Sequence, residues 1–86
     1  MTKDAYAMKL KNRLVSSMNR LQEVKDIAVD INGSVYENGV SISINDKHEI
    51  LSDIRRKIIA DRKITESDNA QLMKLIDLVY ERIQGD

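Results

Sequence analysis

The run Val29–Asn45 constrains the fold more than any other stretch, because it alternates apolar and polar residues around Glu37-Asn38-Gly39-Val40. Asn-Gly at the centre of a two-residue loop is the strongest short-range hairpin signal, since a type I′ turn needs φ > 0 at both central positions. That turn would set Glu37 against Val40, Val35 against Ile42 and Gly33 against Ile44. Ile31, Val35, Val40, Ile42 and Ile44 then share an inward face, and Asn32, Ser34, Tyr36, Ser41, Ser43 and Asn45 look outward. Gly33, inside the first strand, reads as a bulge or a close approach beneath a crossing helix.

Helical periodicity flanks this run. Ala7, Leu10, Leu14, Ser17, Leu21, Val24 and Ala28 recur at 3-4-3-4 spacing, with Met8, Val15 and Met18 one step round. The spacing predicts one helix from Asp4 to Ile27. Twenty-four residues at ~1.5 Å each span roughly 36 Å, longer than the ~30 Å expected across a compact chain of this size. Such a helix either overhangs its own domain or docks on a second copy. After the hairpin, Asp46-Lys47-His48-Glu49 reads as a capping box opening a helix over 47–62, with Ile50, Leu51, Ile54 and Ile58 as its buried stripe. Thr65-Glu66-Ser67-Asp68 repeats the pattern and opens a last helix over 66–84. Leu72, Ile76, Val79 and Ile83 form its inner face, Met73, Leu75 and Tyr80 broaden it, and Gly85 is the stop. The expectation is a single α+β domain over residues 1–86, in the order α-β-β-α-α.

Composition narrows the function classes. The 86 residues hold 14 bases and 14 acids, so no net field draws the chain to nucleic acid or an anionic membrane. The absence of cysteine removes disulfides, thiolate nucleophiles and thiolate zinc sites, and with no apolar leader it points to the cytoplasm. No run approaches the roughly 20 apolar residues of a membrane span. Without Phe, Trp or Pro, the core must be aliphatic with three tyrosines, and a small domain of that kind often gains stability by self-association.

His48 is the sole histidine, and its acidic neighbours belong to a helix start, where the dipole disfavours a cation. With three glycines the chain has neither a nucleophile elbow nor a phosphate-cradling loop. Asp30–Ser34 resembles the start of a calcium loop, but its glycine falls early and Ser41 stands where the closing glutamate belongs. No catalytic residue, cofactor or metal is expected.

Two surfaces remain. Tyr36 among Ser34, Ser41 and Ser43 has a recognition-type composition on a sheet whose open edges invite pairing with a partner or a second copy. Lys9, Lys11, Arg13, Arg20 and Lys25 on the first helix, with Arg55, Arg56, Arg62 and Lys63 on the second, offer a basic face to phosphates or to the acidic last helix of another copy. The leading expectation is a small regulatory protein: a non-enzymatic, homodimeric module that binds or blocks a partner protein. A nucleic-acid-associated regulator using the basic face is the alternative, and an adaptor or inhibitor of the kind carried by mobile elements is a third.

Overall fold

A computed structural model describes residues 3–17 and 20–83. It contains four helices: α1 (Lys3–Ser16), α2 (Arg20–Asn32), α3 (Ile44–Ala60) and α4 (Glu66–Arg82). Among the described residues strand pairing is limited to one antiparallel bridge, between Val35 and Ser41. The protein is a helical bundle, which overturns the expected α+β fold and its β-hairpin.

Side-chain pairings orient the helices. Arg13 near the end of α1 meets Glu23 near the start of α2, and Tyr6 at the start of α1 meets Ser34 just past the end of α2, so these two run antiparallel. Lys3 meets Glu49 and Lys11 meets Asp61, so α1 and α3 run the same way. Arg20 with Asp68 and Asn32 with the Arg82 carbonyl make α2 and α4 parallel, while Tyr80 with Ser52 and Asn69 with Ile58 make α3 and α4 antiparallel. Each helix therefore packs on two neighbours in the ring α1–α3–α4–α2, and α2 and α3 face each other across the diagonal. The chain must cross one end of the bundle to pass between them. Residues 33–43 make that crossing, which is why this connection is long while the others are short.

The centre is aliphatic. Ala7, Leu10 and Leu14 of α1, Val24, Ile27, Ala28 and Ile31 of α2, Ile50, Leu51, Ile54 and Ile58 of α3, and Leu72, Leu75, Ile76 and Val79 of α4 form one buried cluster, closed below by Ile42 and Ile83. The predicted stripes of the last two helices are its inner walls. The predicted 24-residue first helix is instead two helices broken after Ser16, and Leu21, assigned to its buried stripe, is 65% exposed. Ser16 and Ser17 are of a type that competes with the backbone for hydrogen bonds, which weakens a helix there. Folding the chain back at this point lets both halves bury apolar faces. The expected overhang disappears, and the molecule measures 39 × 21 × 19 Å. Met18, placed beside that stripe, and Gln84 and Gly85, predicted to end the last helix, lie outside the described residues.

Helix starts follow side-chain chemistry. Ser43, not Asp46, caps α3: its hydroxyl accepts from the Asp46 N–H at 3.2 Å, and the helix runs Ile44–Ala60 rather than 47–62. Thr65 caps α4 in the same way through the Asp68 N–H at 3.1 Å. Gly33 lies just past α2, its N–H bonded to the Val29 carbonyl at 2.9 Å, and is exposed rather than covered by a crossing helix.

The Asn-Gly turn reverses the chain in a different way from that expected. The Gly39 N–H bonds to the Tyr36 carbonyl at 2.9 Å and the Tyr36 N–H to the Val40 carbonyl at 2.8 Å. Within the turn only Gly39 has φ > 0, at 83°. This is a three-residue loop, a turn followed by a left-handed glycine, so pairing sets Tyr36 against Val40 and Val35 against Ser41, one residue out of the expected register. Val35 and Val40 are 55% and 57% exposed, Ile42 is buried, and Ile31 and Ile44 belong to helices. The space beside Gly39 is open, so Gly39→Ala would cost backbone strain alone, about 1–2 kcal/mol. A fall in melting temperature by several degrees checks this.

Candidate functional site

The crossing loop and the helix ends beneath it form the most distinctive surface. Three anchors hold the loop. Ile42 plugs the core, the Ser34 hydroxyl bonds to the Asp30 carbonyl at 2.8 Å and to the Tyr6 hydroxyl at 3.1 Å, and the Tyr36 hydroxyl donates to the Asp46 carboxylate and accepts from the Ser43 N–H at 3.2 Å. Lys3 reaches over from α1 to bridge Asp46 at 3.2 Å and Glu49 at 2.7 Å. These groups border an open hollow of about 510 Å³, lined by Lys3, Val35, Tyr36, Glu37, Ile42 and Asp46. Val35 and Val40 stand exposed on the loop, with Glu37 exposed between them.

The four interaction residues read from sequence therefore do not make one recognition face. Ser34 and Ser43 tie backbone to side chains, Tyr36 is pinned to α3 while still 39% exposed, and Ser41 occupies the single bridge. The polar sheet face they were assigned to does not form. Reading from sequence passed over Lys3, Glu37 and Asp46, and placed Val35 and Val40 inward. The signal for the valines was available: Glu-Asn-Gly fits a three-residue loop as well as a two-residue one, and that choice decides which side chains face out.

The basic candidates scatter in the same way. Arg13 binds Glu23 at 2.6 Å and also Asp30, Arg20 reaches Asp68 on α4, Arg55 binds Asp77 at 2.7 Å and lies 5.5 Å above the Tyr80 ring, and Arg56 pairs with Asp53. Arg62 and Lys63 stand exposed in the α3–α4 turn, with no ion pair among the described residues. Charge is nonetheless sorted along the bundle. The half containing the crossing loop, the starts of α1 and α3 and the ends of α2 and α4 carries four bases against seven acids. The opposite half carries nine bases against five acids, and Asp26 and Lys74 fall at mid-helix.

His48, Ser52 and Tyr80 lie together on the facing sides of α3 and α4. The Ser52 and Tyr80 hydroxyls are 3.2 Å apart, and the Tyr80 hydroxyl donates to the His48 carbonyl at 3.4 Å. The His48 and Tyr80 rings pack tilted at 5.3 Å. Among the described residues no serine bonds to the imidazole, so the base–nucleophile contact of a triad is not formed. Among the described residues no three His, Asp or Glu side chains converge as a metal site requires, and no helix is long and apolar enough to cross a membrane.

Ionisation ties both ends of the bundle to pH. The Tyr36 hydroxyl, and next to it the Lys3 ammonium, hold the Asp46 carboxyl below the usual range. Lys11, followed by the Lys63 N–H, does the same for Asp61. A carboxyl lowered by folding contributes stability above its unfolded pKa, near 4, and that contribution is lost as pH falls through the lower folded value. Lys3 is raised, chiefly by Glu49 and then by Asp46, so its contribution is present below about pH 10 and lost as pH climbs through the folded value. The melting temperature should fall on acidification below about pH 4, and Asp61→Asn should lower it at neutral pH while flattening the acid limb. Circular dichroism melts across pH check both.

Comparison with known proteins returns no match: no family model, no curated protein and no solved structure matches this chain.

Proposed function

We propose that this protein is a non-enzymatic interaction module that works in the cytoplasm by occupying a partner's surface, with the loop-covered end of the bundle as its docking face. One observation carries the reading. Val35 and Val40 are more than half exposed on a loop that Ile42, Ser34 and Tyr36 hold in place, beside a hollow with an apolar wall. Isolated exposed apolar side chains are ordinary, but a pinned loop that displays two of them costs little entropy when it docks. The cysteine-free composition agrees with a reducing compartment.

The test compares wild type with Val40→Asp as baits for affinity capture from the native host. Val40 is 57% exposed, so the substitution leaves the bundle folded, as far-UV circular dichroism would verify. A partner retained by wild type and lost by the variant is the expected result. An identical captured set from both baits overturns the docking face. Retention on random-sequence DNA that falls steeply between low and moderate salt, together with loss of that retention in Arg62→Glu, would replace this reading with nucleic-acid binding.

A further inference from the structure

The end opposite the crossing loop is its complement. There the last turn of α3 presents Ile59, 63% exposed, and the α3–α4 turn presents Arg62 and Lys63, beside a hollow of about 330 Å³ lined also by Ile64, Ala70, Glu66 and Asp61, the last of these already paired with Lys11. The loop end presents Val35 and Val40 beside Glu37, with Asp46 and Glu49 sharing the one ammonium of Lys3. Because α3 runs the length of the bundle, some 25 Å for its 17 residues, the two patches lie at opposite ends. Exposed apolar side chains stand at both ends, and the half of the bundle that contains the crossing loop carries an excess of acid while the opposite half carries an excess of base.

We propose that the loop end of one molecule docks on the α3–α4 turn of a second copy, so that copies associate head to tail. This rests on the loop end being a docking face, and it names a second copy as its occupant. Charge fixes the arrangement. Pairing two loop ends, or two turn ends, across a two-fold axis brings like charges together, whereas end-to-tail stacking sets Glu37 near Arg62 and Lys63 and aligns the two charge-sorted bundles favourably. Val35 and Val40 then meet Ile59, which removes exposed apolar surface on both sides. Such a contact is heterologous, and with nothing to close it the assembly is open-ended.

The experiment measures mass by light scattering and analytical ultracentrifugation for wild type, Val40→Asp and Ile59→Asp, alone and mixed. Both positions are more than half exposed, so both variants fold, and the double variant R62E/K63E provides an independent block of the turn end. Wild type is expected to grow in mean mass with concentration at ~0.01 M salt, where charges act over ~30 Å, and to fall back toward monomer near 1 M, where they act over ~3 Å. Each variant alone should stay monomeric. An equimolar mixture of Val40→Asp and Ile59→Asp should give a species of twice the monomer mass and nothing larger, because each retains the end that the other has lost. Wild type that stays monomeric throughout overturns the inference, and so does a variant mixture that stays monomeric. A dimer abolished by Val40→Asp but untouched by Ile59→Asp and R62E/K63E is a two-fold loop contact and also overturns it. Host capture that still depends on Val40 while wild type remains monomeric would leave the proposed docking face standing and remove only the head-to-tail contact.

Discussion

Ile58→Ala should destabilise the bundle by about 2–5 kcal/mol, while Ile59→Ala should change it by less than ~0.5 kcal/mol. The two residues are chain neighbours of the same type, so propensity and composition cannot separate them. Position on the helix does: Ile58 is wholly buried in the core cluster, and Ile59 is 63% exposed. Truncating Ile58 removes transfer free energy and leaves a void. The surrounding Leu, Ile and Val side chains, without a large ring among the buried residues to swing into the gap, fill it only in part. A chain of this length has a total stability of roughly 4–13 kcal/mol, so the loss is a large share of the whole. It multiplies the unfolded fraction by between about thirty and several thousand. Each kcal/mol lost lowers the melting temperature by about 4–8 °C. Urea unfolding of the two variants checks the prediction, with the Ile58→Ala midpoint falling at an unchanged slope. Equal shifts would mean that α3 presents a different face to the core.

Residues 47–83 were largely legible in sequence because periodicity and capping chemistry point the same way there, although the start of α3 was placed at Asp46 instead of Ser43. Ile50, Leu51, Ile54 and Ile58 mark one face, Leu72, Ile76, Val79 and Ile83 another, and a capping residue precedes each run. Between Leu14 and Val24 the same method misread the chain. That stretch fits either a continuous stripe or two stripes out of phase, and the exposed Leu21 is where the phase slips. The alternation through 31–45 misled for a different reason. Period-two patterning makes a strand only if another layer covers its inner face, and a two-stranded ribbon is marginal without one. Here Ile31 and Ile44 are taken by helices bounded by Gly33 and Ser43, which leaves Val35 and Val40 uncovered. Much of the basic face is neutralised by acids from far along the chain, Asp77 on Arg55, Asp30 on Arg13 and Asp68 on Arg20, while Arg62 and Lys63 stay exposed. Charge pairing of that kind becomes visible only when the helices are assembled. The loop end had the same obstacle, since Lys3, Glu37 and Asp46 converge only after the loop crosses the bundle.

Ile42→Ala should release the crossing loop before it unfolds the bundle. Ile42 is 9% exposed and is the one apolar side chain of residues 33–43 that enters the core, while Val35 and Val40 stay outside. Its truncation should cost about 2–3 kcal/mol, toward the low end of the core range because the site sits at the rim and opens to water instead of leaving a sealed void. The loss falls unevenly. What remains to hold residues 34–41 is the Ser34 hydroxyl on Asp30 and Tyr6, the Tyr36 hydroxyl on Asp46 and Ser43, and a few backbone bonds, all exposed but the partly buried Ser34–Tyr6 contact. Surface hydrogen bonds contribute only about 1 kcal/mol each and exchange readily with water. The amides of Tyr36 and Ile42, bonded to the Val40 and Ser34 carbonyls, should therefore lose protection against hydrogen exchange, while those of α3 and α4 remain slow. Val35→Ala and Val40→Ala, on the same loop, should leave exchange and melting temperature near wild type. Uniform loss of protection along the whole chain in Ile42→Ala would show that loop and bundle unfold as one unit, with the loop a structural element of the core rather than a platform resting on it.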